Sequence, residues 1–311
     1  TDYNDIKYRS RTVFSFHRPE TLLALLGQSD TIRNNMKHFP ALDETGFRKC
    51  QVNAIKNLDK SFAENRPKAL VQMATGAGKT FTAITAAYRL LKYGKMNRIL
   101  FLVDTRGLGE QAEREFLAYT PNDDPRSFSQ LYGVRRLKSS YIPNDIQICI
   151  CTIQRMYSIL KGEELDESIE EKSFAEFVTA ESKAPKEVVY NEKYPPEFFD
   201  CIIVDECQFL TESQIDQLRA LVNDYNIPVM CFGLRTDFQT RLFPGSRRLM
   251  EVAGTLQEIK TICDCGAKAT VNARIDGDGH IITQGAQVVL GGNDSYIAMC
   301  HKCYQDYILQ H

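Results

Sequence analysis

A glycine-rich loop follows the apolar segment KALVQM (68–73), and a helical pattern, FTAITAAYRLLK, follows the loop. The loop consists of Ala74, Thr75, Gly76, Ala77, Gly78, Lys79 and Thr80. Glycines allow successive N–H groups to turn toward a phosphate at the N-terminus of a helix. In such a loop the lysine, Lys79, reaches the β- and γ-phosphates, and the hydroxyl that follows, on Thr80, binds Mg²⁺. The order of strand, loop and helix therefore predicts that this P-loop binds ATP and Mg²⁺.

Two adjacent carboxylates, Asp205 and Glu206, end another apolar segment, CIIVD. In P-loop proteins a strand of this kind places its last aspartate on Mg²⁺, and a neighbouring glutamate can activate a nucleophile. We therefore predict that Asp205 binds Mg²⁺ beside the P-loop and that Glu206 is the catalytic base. The alternative is an ordinary acidic N-cap of the helix that follows.

The ten cysteines fall into two groups. Six lie singly in or beside apolar segments, as expected of reduced core thiols in a chain too long for a disulfide scaffold: Cys50, Cys149, Cys151, Cys201, Cys207 and Cys231. The other four form two close pairs, Cys263-x-Cys265 and Cys300-x-x-Cys303, and four thiolates are the set that a structural Zn²⁺ binds. Buried reduced thiols are the alternative. A DNA-binding zinc ribbon is disfavoured, because residues 266–299 contain only two Lys or Arg side chains.

The segments that must position these residues alternate between short apolar runs and helix-length stretches with a 3.6-residue period. Near-continuous apolar runs are typical of parallel strands that are buried on both faces. We therefore predict an α/β fold of the P-loop NTPase type, with a doubly wound parallel sheet. The predicted strands are residues 68–73, 98–103, 146–151, 201–205 and 227–233.

Changes in composition divide the chain into three parts. Residues 1–45 are polar and irregular, and we predict an N-terminal tail or linker there. Residues 46–245 are predicted to form the nucleotide-binding domain, interrupted at 161–197 by an acidic insertion that we expect to be solvated. Residues 246–311 are predicted to form a short helix and a small zinc-binding β domain.

The charges of the 311 residues nearly balance, with 38 Lys and Arg against 40 Asp and Glu. A passive nucleic-acid coat with a global positive field is therefore excluded. No window approaches the roughly eighteen apolar residues of a membrane span, and the N-terminus TDYNDIKYRSR lacks the apolar core of a signal peptide. We expect a cytoplasmic protein without a membrane segment.

Residues 1–206 resemble the motor subunit of type I restriction enzymes, a superfamily 2 helicase-like DNA translocase with a RecA-like core. The resemblance rests on FSFHRPETL, RKCQ (48–51), ATGAGKT, LVDTRGLGEQA, CTIQRMYSIL and IIVDEC. It implies that Gln51 contacts adenine and that DNA is a partner. The family continues its DEC sequence with His, where this chain has Gln208, and the motifs of the second motor domain do not follow.

From Cys201 to His311 the chain instead resembles the C-terminal part of type II thymidine kinases. The resemblance rests on VDECQFLTESQIDQL, IPVMCFGLRTDFQTRLFPGS, KTICDCGAKAT, VVLGGNDSYIAMC and CHKC. It implies a zinc-closed lasso over thymidine or a related nucleoside, a homo-oligomer, and a Glu206 that takes the proton of the sugar 5′-hydroxyl. The residues that it places around the nucleoside are Phe209, Leu234, Phe238, Phe243 and Tyr296, with Val288, Gly291 and Gly292 in the lasso.

Both families share the IVDEC strand, so we interpret the chain as a chimera joined there. The kinases also have an Asp-x-Arg after their second strand, where the Arg meets the transferring phosphate. This chain has Asp104 and Arg106 at the corresponding place. The resemblance therefore implies a substrate contact for Asp104 and a catalytic role for Arg106, with a coincidence of the helicase motif as the alternative.

The most complete chemistry in the sequence is phosphoryl transfer from ATP to the thymidine 5′-hydroxyl, because the acceptor, base and metal residues of the kinase are all present. The alternatives are a truncated ATP-dependent DNA translocase and an inactive fusion. Adenine is held either by Gln51, as the translocase resemblance implies, or in the manner of the kinases.

Overall fold

Six parallel strands form the central sheet of this computed structural model, which describes residues 32–74, 76–171, 191–253, 261–285 and 296–310. The strands are β1 (Lys68–Gln72), β2 (Ile99–Val103), β3 (Val134–Arg136), β4 (Ile148–Thr152), β5 (Cys201–Val204) and β6 (Val229–Gly233). Their order across the sheet is β1-β6-β5-β2-β4-β3. The predicted doubly wound α/β fold is confirmed, and β3 is a short edge strand that the apolar runs did not indicate.

Helices cover both faces of this sheet, because its strands alternate apolar side chains toward two separate cores. In β2, for example, Phe101 points into one core and Leu102 into the other. The helices are α1 (Ile32–Met36), α2 (Lys49–Ala63), α3 (Lys79–Lys92), α4 (Arg106–Ala118), α5 (Phe128–Leu131), α6 (Ile153–Lys161), α7 (Glu212–Tyr225), α8 (Pro244–Val252) and α9 (His301–Gln310). Helices α1 to α5 pack on the first core, and α6 to α8 pack on the second.

Strand β6 lies between β1 and β5 and pairs with both of them. All five residues of β1 have partners in β6, from Lys68 opposite Val229 to Gln72 opposite Gly233. Main-chain bonds extend the pairing at both ends, since Val229 N–H donates to Pro67 O at 2.9 Å and Met73 N–H donates to Gly233 O at 3.3 Å. Therefore β6 connects the strand that precedes the P-loop to the strand that ends at Asp205.

Part of the N-terminal segment packs against the sheet domain. Met36 of α1 is buried in the first core, and Phe39 packs against that core. Arg89 of α3 donates to Pro40 O at 2.6 Å and pairs with Asp59 at 2.8 Å. From residue 32 onward, the segment expected to be a tail is thus attached to α2 and α3.

The acidic insertion also makes contacts with the domain over its described part, which ends at Glu171. Glu170 is buried, and its carboxylate accepts hydrogen bonds from Thr152 Oγ1 at 2.6 Å and from Arg155 Nε at 3.2 Å. The expectation of a solvated run is wrong at Glu170, because a buried arginine at the start of α6 needs a carboxylate partner. Residues 172–190 lie outside the described residues.

Short strands and one helix form the C-terminal module. The antiparallel pairs are β7 (Thr261–Ile262) with β8 (Lys268–Ala269) and β9 (Val271–Arg274) with β10 (Tyr296–Met299). The described residues of the predicted β domain thus form two short antiparallel strand pairs, and α9 is an additional element. None of the helices described above combines the length and apolar composition that crossing a bilayer requires.

The contact between β6 and the turn after β5 gives a stability prediction for Gly233. A Cβ atom at this position would lie 2.5 Å from Gln208 Oε1 and 2.7 Å from Cys207 Sγ. We expect Gly233→Ala to lower the free energy of unfolding by about 1–3 kcal/mol through overpacking, measured by urea denaturation.

Gly107 in the first turn of α4 provides the matched control, because a Cβ atom added there would have no neighbour within 4 Å. Gly107→Ala should leave the unfolding free energy unchanged or raise it slightly. Equal effects of the two substitutions would show that β6 does not approach the turn as closely as the structure indicates.

Candidate functional site

The P-loop has the backbone conformation that its glycines allow. Gly76 and Gly78 both have left-handed backbone angles, with φ of 72° and 83°. Gly78 is the N-cap residue of α3, so Lys79 and Thr80 are the first residues of that helix. The loop thus presents the N-terminus of α3 to an anion, as phosphate binding requires. Thr75 lies outside the described residues.

Two side chains from the start of α2 brace this loop from outside. Arg48 Nη1 donates to Gly76 O, and Gln51 Nε2 donates to Ala77 O at 3.2 Å. The other end of the Gln51 amide accepts the Arg48 N–H at 2.9 Å. Gln51, predicted to contact adenine, therefore orients the P-loop backbone in this structure, and the sequence motif alone did not reveal this contact.

Residues from the P-loop and from the end of β5 meet across β6. Lys79 Nζ lies 3.5 Å from Glu206 Oε1, and Thr80 Oγ1 donates to Asp205 Oδ2 at 3.1 Å. Lys79 is nearly buried, whereas the Glu206 side chain is 21% exposed. The predicted association of these four residues is present, and it opens to solvent on the Glu206 side.

Asp205 is the more buried of the two carboxylates in this site. Burial and the adjacent Glu206 carboxylate raise the pKa of Asp205 above its ordinary value, although Lys79 opposes the shift. A buried oxygen-donor pair, the Asp205 carboxylate and the Thr80 hydroxyl, has the chemistry that Mg²⁺ prefers. These two residues therefore fit the predicted magnesium site.

Glu206 has a left-handed backbone, with φ of 53° and ψ of 42°. Its N–H donates to Asp205 Oδ1 at 3.0 Å, and its Oε2 accepts from Gln208 Nε2 at 2.5 Å. Left-handed backbone at a residue other than glycine is uncommon and is found at functional sites. The turn fixes the direction in which the predicted base extends from β5.

Asp104 and Arg106 follow β2, as predicted. The described ion pairs of Arg106, however, are not with residues of the P-loop or of the turn after β5. Its guanidinium donates to Glu110 Oε1 at 3.0 Å and to Glu167 Oε2 at 2.6 Å. Asp104 is buried beside the sheet. In this structure Arg106 links α4 to the acidic insertion, so a role at the transferring phosphate would require that these pairs break.

The predicted nucleoside residues divide between two places. Phe209 and Phe243 contact each other edge to face, with ring centroids 5.8 Å apart, and lie next to the turn that holds Glu206. Leu234 reaches the same turn, because its N–H donates to Gln208 Oε1 at 3.0 Å. These three residues lie near the predicted base.

Phe238 lies against the C-terminal module. It is fully buried, the Arg274 guanidinium lies 5.4 Å from its ring centroid, and its carbonyl accepts from Tyr304 OH at 3.0 Å. Tyr296 pairs with Arg274 across β9 and β10. The module thus contacts the 234–243 loop directly, whereas Val288, Gly291 and Gly292 lie outside the described residues.

The four paired cysteines converge in the C-terminal module. Cys263, Cys265, Cys300 and Cys303 have sulfur atoms within 4.8 Å of one another, and the Cys265 and Cys300 sulfurs are 3.6 Å apart. Four sulfurs around a tetrahedral Zn²⁺, at the usual Zn–S length of about 2.3 Å, would lie about 3.8 Å apart.

The thiols of this cluster influence one another's protonation. Backbone hydrogen bonds from Cys265 and Cys300 lower the pKa of Cys263 to about 7, while thiol hydrogen bonds from Cys300 and Cys265 raise the pKa of Cys303 to about 12. Four thiolates at this spacing would repel one another unless a cation lay among them. The geometry and the donor set are therefore ones that could hold Zn²⁺.

A separate groove of about 340 Å³ runs along the outer edge of β1, between α2, α7 and α8. Apolar side chains such as Leu58, Leu70 and Ile215 line it. None of the predicted site residues lines this groove, so it has no part in the nucleotide site.

Lys79 gives the most direct test of the P-loop. Lys79→Ala removes the cation that is predicted to face the β- and γ-phosphates, so ATP binding should weaken by roughly 10- to 100-fold, and turnover should be lost. Isothermal titration with ATP measures the affinity. Lys92→Ala, at the other end of α3, removes the same charge from a pair with Asp123 and should bind ATP normally; equal affinities in both variants would contradict the assignment.

The cysteine cluster predicts about one zinc per chain. Cys300→Ser should lose most of the metal and unfold at a lower temperature, because structural zinc contributes to folding. Cys50→Ser, a thiol on α2 outside the cluster, is the control and should keep the metal. Elemental analysis and thermal denaturation measure both effects, and full zinc content in Cys300→Ser would refute the site.

Two family models match this chain. The model "SWI2/SNF2 ATPase" matches residues 50–226, and the model "Thymidine kinase" matches residues 166–304. The matches overlap over 166–226, which includes the predicted junction. Strand β1 and the P-loop lie in the first match alone, whereas β6, α8 and all four cysteines of the cluster lie in the second alone.

Curated relatives match the C-terminal part. The thymidine kinase of Shewanella oneidensis is 50% identical over 108 residues, which are 35% of this chain and 56% of that protein. The thymidine kinase of Chromobacterium violaceum is 54% identical over 104 residues, which are 33% of this chain and 56% of that protein. The chain thus spans a little over half the length of these kinases.

Solved structures show weaker similarity. The UvsW helicase from bacteriophage T4 is 19% identical with a TM-score of 0.36, covering 60% of this chain and 52% of that one. A fragment of an HsdR subunit of a type I restriction enzyme from Vibrio vulnificus is 19% identical with a TM-score of 0.40, covering 78% and 36%. The assignment rests on the family matches: over residues 50–226, more than half of its length, the chain belongs to the SWI2/SNF2 ATPase family, and it is a chimera with a thymidine kinase segment over residues 166–304.

Proposed function

We propose that this chain transfers the γ-phosphoryl group of ATP to the 5′-hydroxyl of thymidine. The observation that carries the proposal is the position of Glu206. On one side its carboxylate contacts Lys79 of the P-loop, and on the other it contacts Gln208, which binds the loop that begins at Leu234. The predicted base thus lies between the predicted ATP site, in the SWI2/SNF2 match, and residues 234–243, in the thymidine kinase match, which we call the acceptor loop.

ATP would bind with its phosphates at the N-terminus of α3, where Lys79 neutralises charge on the β- and γ-phosphates. Thr80 and Asp205 would hold Mg²⁺ through their oxygen atoms. When bound, this ion supplies charge neutralisation for the transferring phosphoryl group. Arg48 and Gln51 keep the loop carbonyls of Gly76 and Ala77 turned away from the phosphates.

Glu206 acts as the base in this proposal. Its Oε1 faces Lys79 before ATP binds, and the phosphates compete for that lysine once ATP is present. Oε1 is then available to accept the proton of the 5′-hydroxyl. The hydroxyl oxygen bonds to the γ-phosphorus while the bond from that phosphorus to the β,γ-bridging oxygen breaks, so ADP leaves. Phe209, Leu234 and Phe243 would line the acceptor position, since Phe209 contacts Phe243 in the turn after Glu206 and Leu234 binds Gln208 of that turn.

The zinc cluster has a supporting role. Bound at Cys263, Cys265, Cys300 and Cys303, the metal would hold β7 to the start of α9. Tyr304 on α9 and Arg274 on β9 contact Phe238 of the acceptor loop. The cluster would therefore support the part of the thymidine pocket that Phe238 forms.

ATP hydrolysis is the second candidate function, favoured by the SWI2/SNF2 match that includes the whole P-loop. Glu206 would then orient a water molecule, and DNA would be the partner. An inactive fusion is the third alternative. Homo-oligomer formation, the cytoplasmic location and the domain limits at residues 46, 245 and 246 stay predictions from the sequence.

Glu206→Gln separates these alternatives. The isosteric amide should preserve ATP and thymidine binding while lowering the rate of dTMP formation by roughly 10²- to 10⁴-fold, since the general base is lost. The measurement is ADP and dTMP formation by both proteins, with and without thymidine, together with ATP affinity.

Thymidine-dependent ADP formation that matches dTMP formation supports the kinase. ADP formation at the same rate with and without thymidine, and without dTMP, would instead establish the ATPase. Loss of ATP binding in Glu206→Gln would mean that Glu206 is structural, and an absence of turnover in the wild type would identify an inactive fusion.

A further inference from the structure

Gln208 lies between the predicted base and the acceptor loop, and both ends of its amide are engaged. Its Nε2 donates to Glu206 Oε2 at 2.5 Å, and its Oε1 accepts the Leu234 N–H at 3.0 Å. The side chain is 1% exposed. An amide has donors at one end and acceptors at the other, so the bond from Leu234 determines which end faces Glu206.

Helix α8 also links the acceptor loop to the turn that contains Gln208. Ser246 Oγ, buried at the start of α8, donates to Leu234 O at 2.5 Å. A Cβ atom on Gly245 would lie 2.7 Å from the carbonyl oxygens of Cys207, Gln208 and Leu210. Because α8 packs directly on the turn, a shift of the loop at Leu234 must move the Gln208 amide.

Packing alone does not require a glutamine at this position. Burying an amide costs free energy unless its hydrogen bonds are made, and an apolar side chain of similar length would fill the space without that cost. The two hydrogen bonds therefore identify what the side chain does: it joins Glu206 to the main chain of Leu234.

We propose that Gln208 is a positioning residue that couples seating of the nucleoside on the 234–243 loop to the orientation of the Glu206 carboxylate. The inference rests on the proposed kinase function. When ATP draws Lys79 toward its phosphates, the bond from Gln208 still holds Oε2, so Oε1 stays directed at the acceptor hydroxyl. A nucleoside that fixes Leu234 also fixes the amide, and the base is held in place when the acceptor is present.

Gln208→Met tests this proposal, because it keeps the side-chain length and removes both hydrogen bonds. We expect kcat for dTMP formation to fall by about 10- to 100-fold, the effect of losing a hydrogen bond to a charged group, with an unchanged KM for ATP. Gln208→His should recover most of kcat, since a neutral imidazole has one donor and one acceptor nitrogen. Urea denaturation of each variant measures stability separately.

Ser246→Ala extends the test to the far side of Leu234 and removes neither Gln208 nor Glu206. It should raise KM for thymidine by several-fold and also lower kcat, because loosening Leu234 disturbs the Gln208 amide, while KM for ATP stays unchanged. This variant also carries the test if Gln208→Met does not fold. Wild-type kinetics in Ser246→Ala would refute the coupling.

The outcomes separate this inference from the proposed function. A wild type that forms dTMP, with Gln208→Met keeping kcat within two-fold or Gln208→His recovering nothing, overturns the role of Gln208 alone. A wild type that forms ADP but no dTMP overturns the kinase function and, with it, coupling to the acceptor. In that case, unchanged ADP formation in Gln208→Met would also overturn the positioning of Glu206.

Discussion

The pairing of β1 with β6 is the interaction on which the rest of this structure depends. Strand β1 leads into the P-loop and lies in the SWI2/SNF2 match alone, whereas β6 lies in the thymidine kinase match alone. Parallel strands are about 4.8 Å apart, so β1 and β5 are separated by about 10 Å across β6. This separation lets Lys79 and Glu206 extend from opposite sides and meet above β6. Without the pairing, the two halves of the site would have no fixed relation.

Packing on both faces of the sheet supports this pairing. Met230 and Phe232 of β6 lie in the first core with Val71 of β1, while Cys231 lies in the second core with residues of α7 and α8. Each face therefore contains side chains from both matched segments. Because protein cores tolerate hydrophobic substitution when volume and pattern are kept, apolar strands from two P-loop families can share one interior. The close approaches at Gly233 and Gly245 are stricter, since they leave no room for a Cβ atom.

Much of this arrangement could be predicted from local sequence patterns. The five longer strands are near-continuous apolar runs, and the P-loop, the acidic strand end and the cysteine pairs have characteristic spacings. Strand β3 could not be predicted in this way, because its three residues, VRR, have no apolar run. The hydrogen bonds of Gln208, Arg48 and Glu170 depend on residues distant in sequence that only the fold brings together. Gln208 stands where the helicase-like family has His, but this difference did not by itself predict the link between Glu206 and Leu234.

The two chemistries suggested for this chain share the P-loop, Asp205 and Glu206. They differ in the nucleophile that Glu206 would activate. A SWI2/SNF2 ATPase activates water, whereas a kinase presents a hydroxyl held by an acceptor loop. In this structure Leu234 binds the turn that carries Glu206, so the loop lies beside the proposed nucleotide site. Both interpretations require that β6 holds the β1 and β5 ends together.

Native-state amide hydrogen exchange tests that requirement most directly. The Val229 amide donates to Pro67 O and the Met73 amide donates to Gly233 O, so both report on the pairing of β1 with β6, while the Ile99 amide donates to Gln147 O elsewhere in the sheet. If the two segments form one cooperative sheet, Val229 and Met73 should exchange with the same opening free energy as Ile99. Rapid exchange at Val229 and Met73, with Ile99 still protected, would contradict the account, because it would show that β6 does not join the P-loop strand to the sheet.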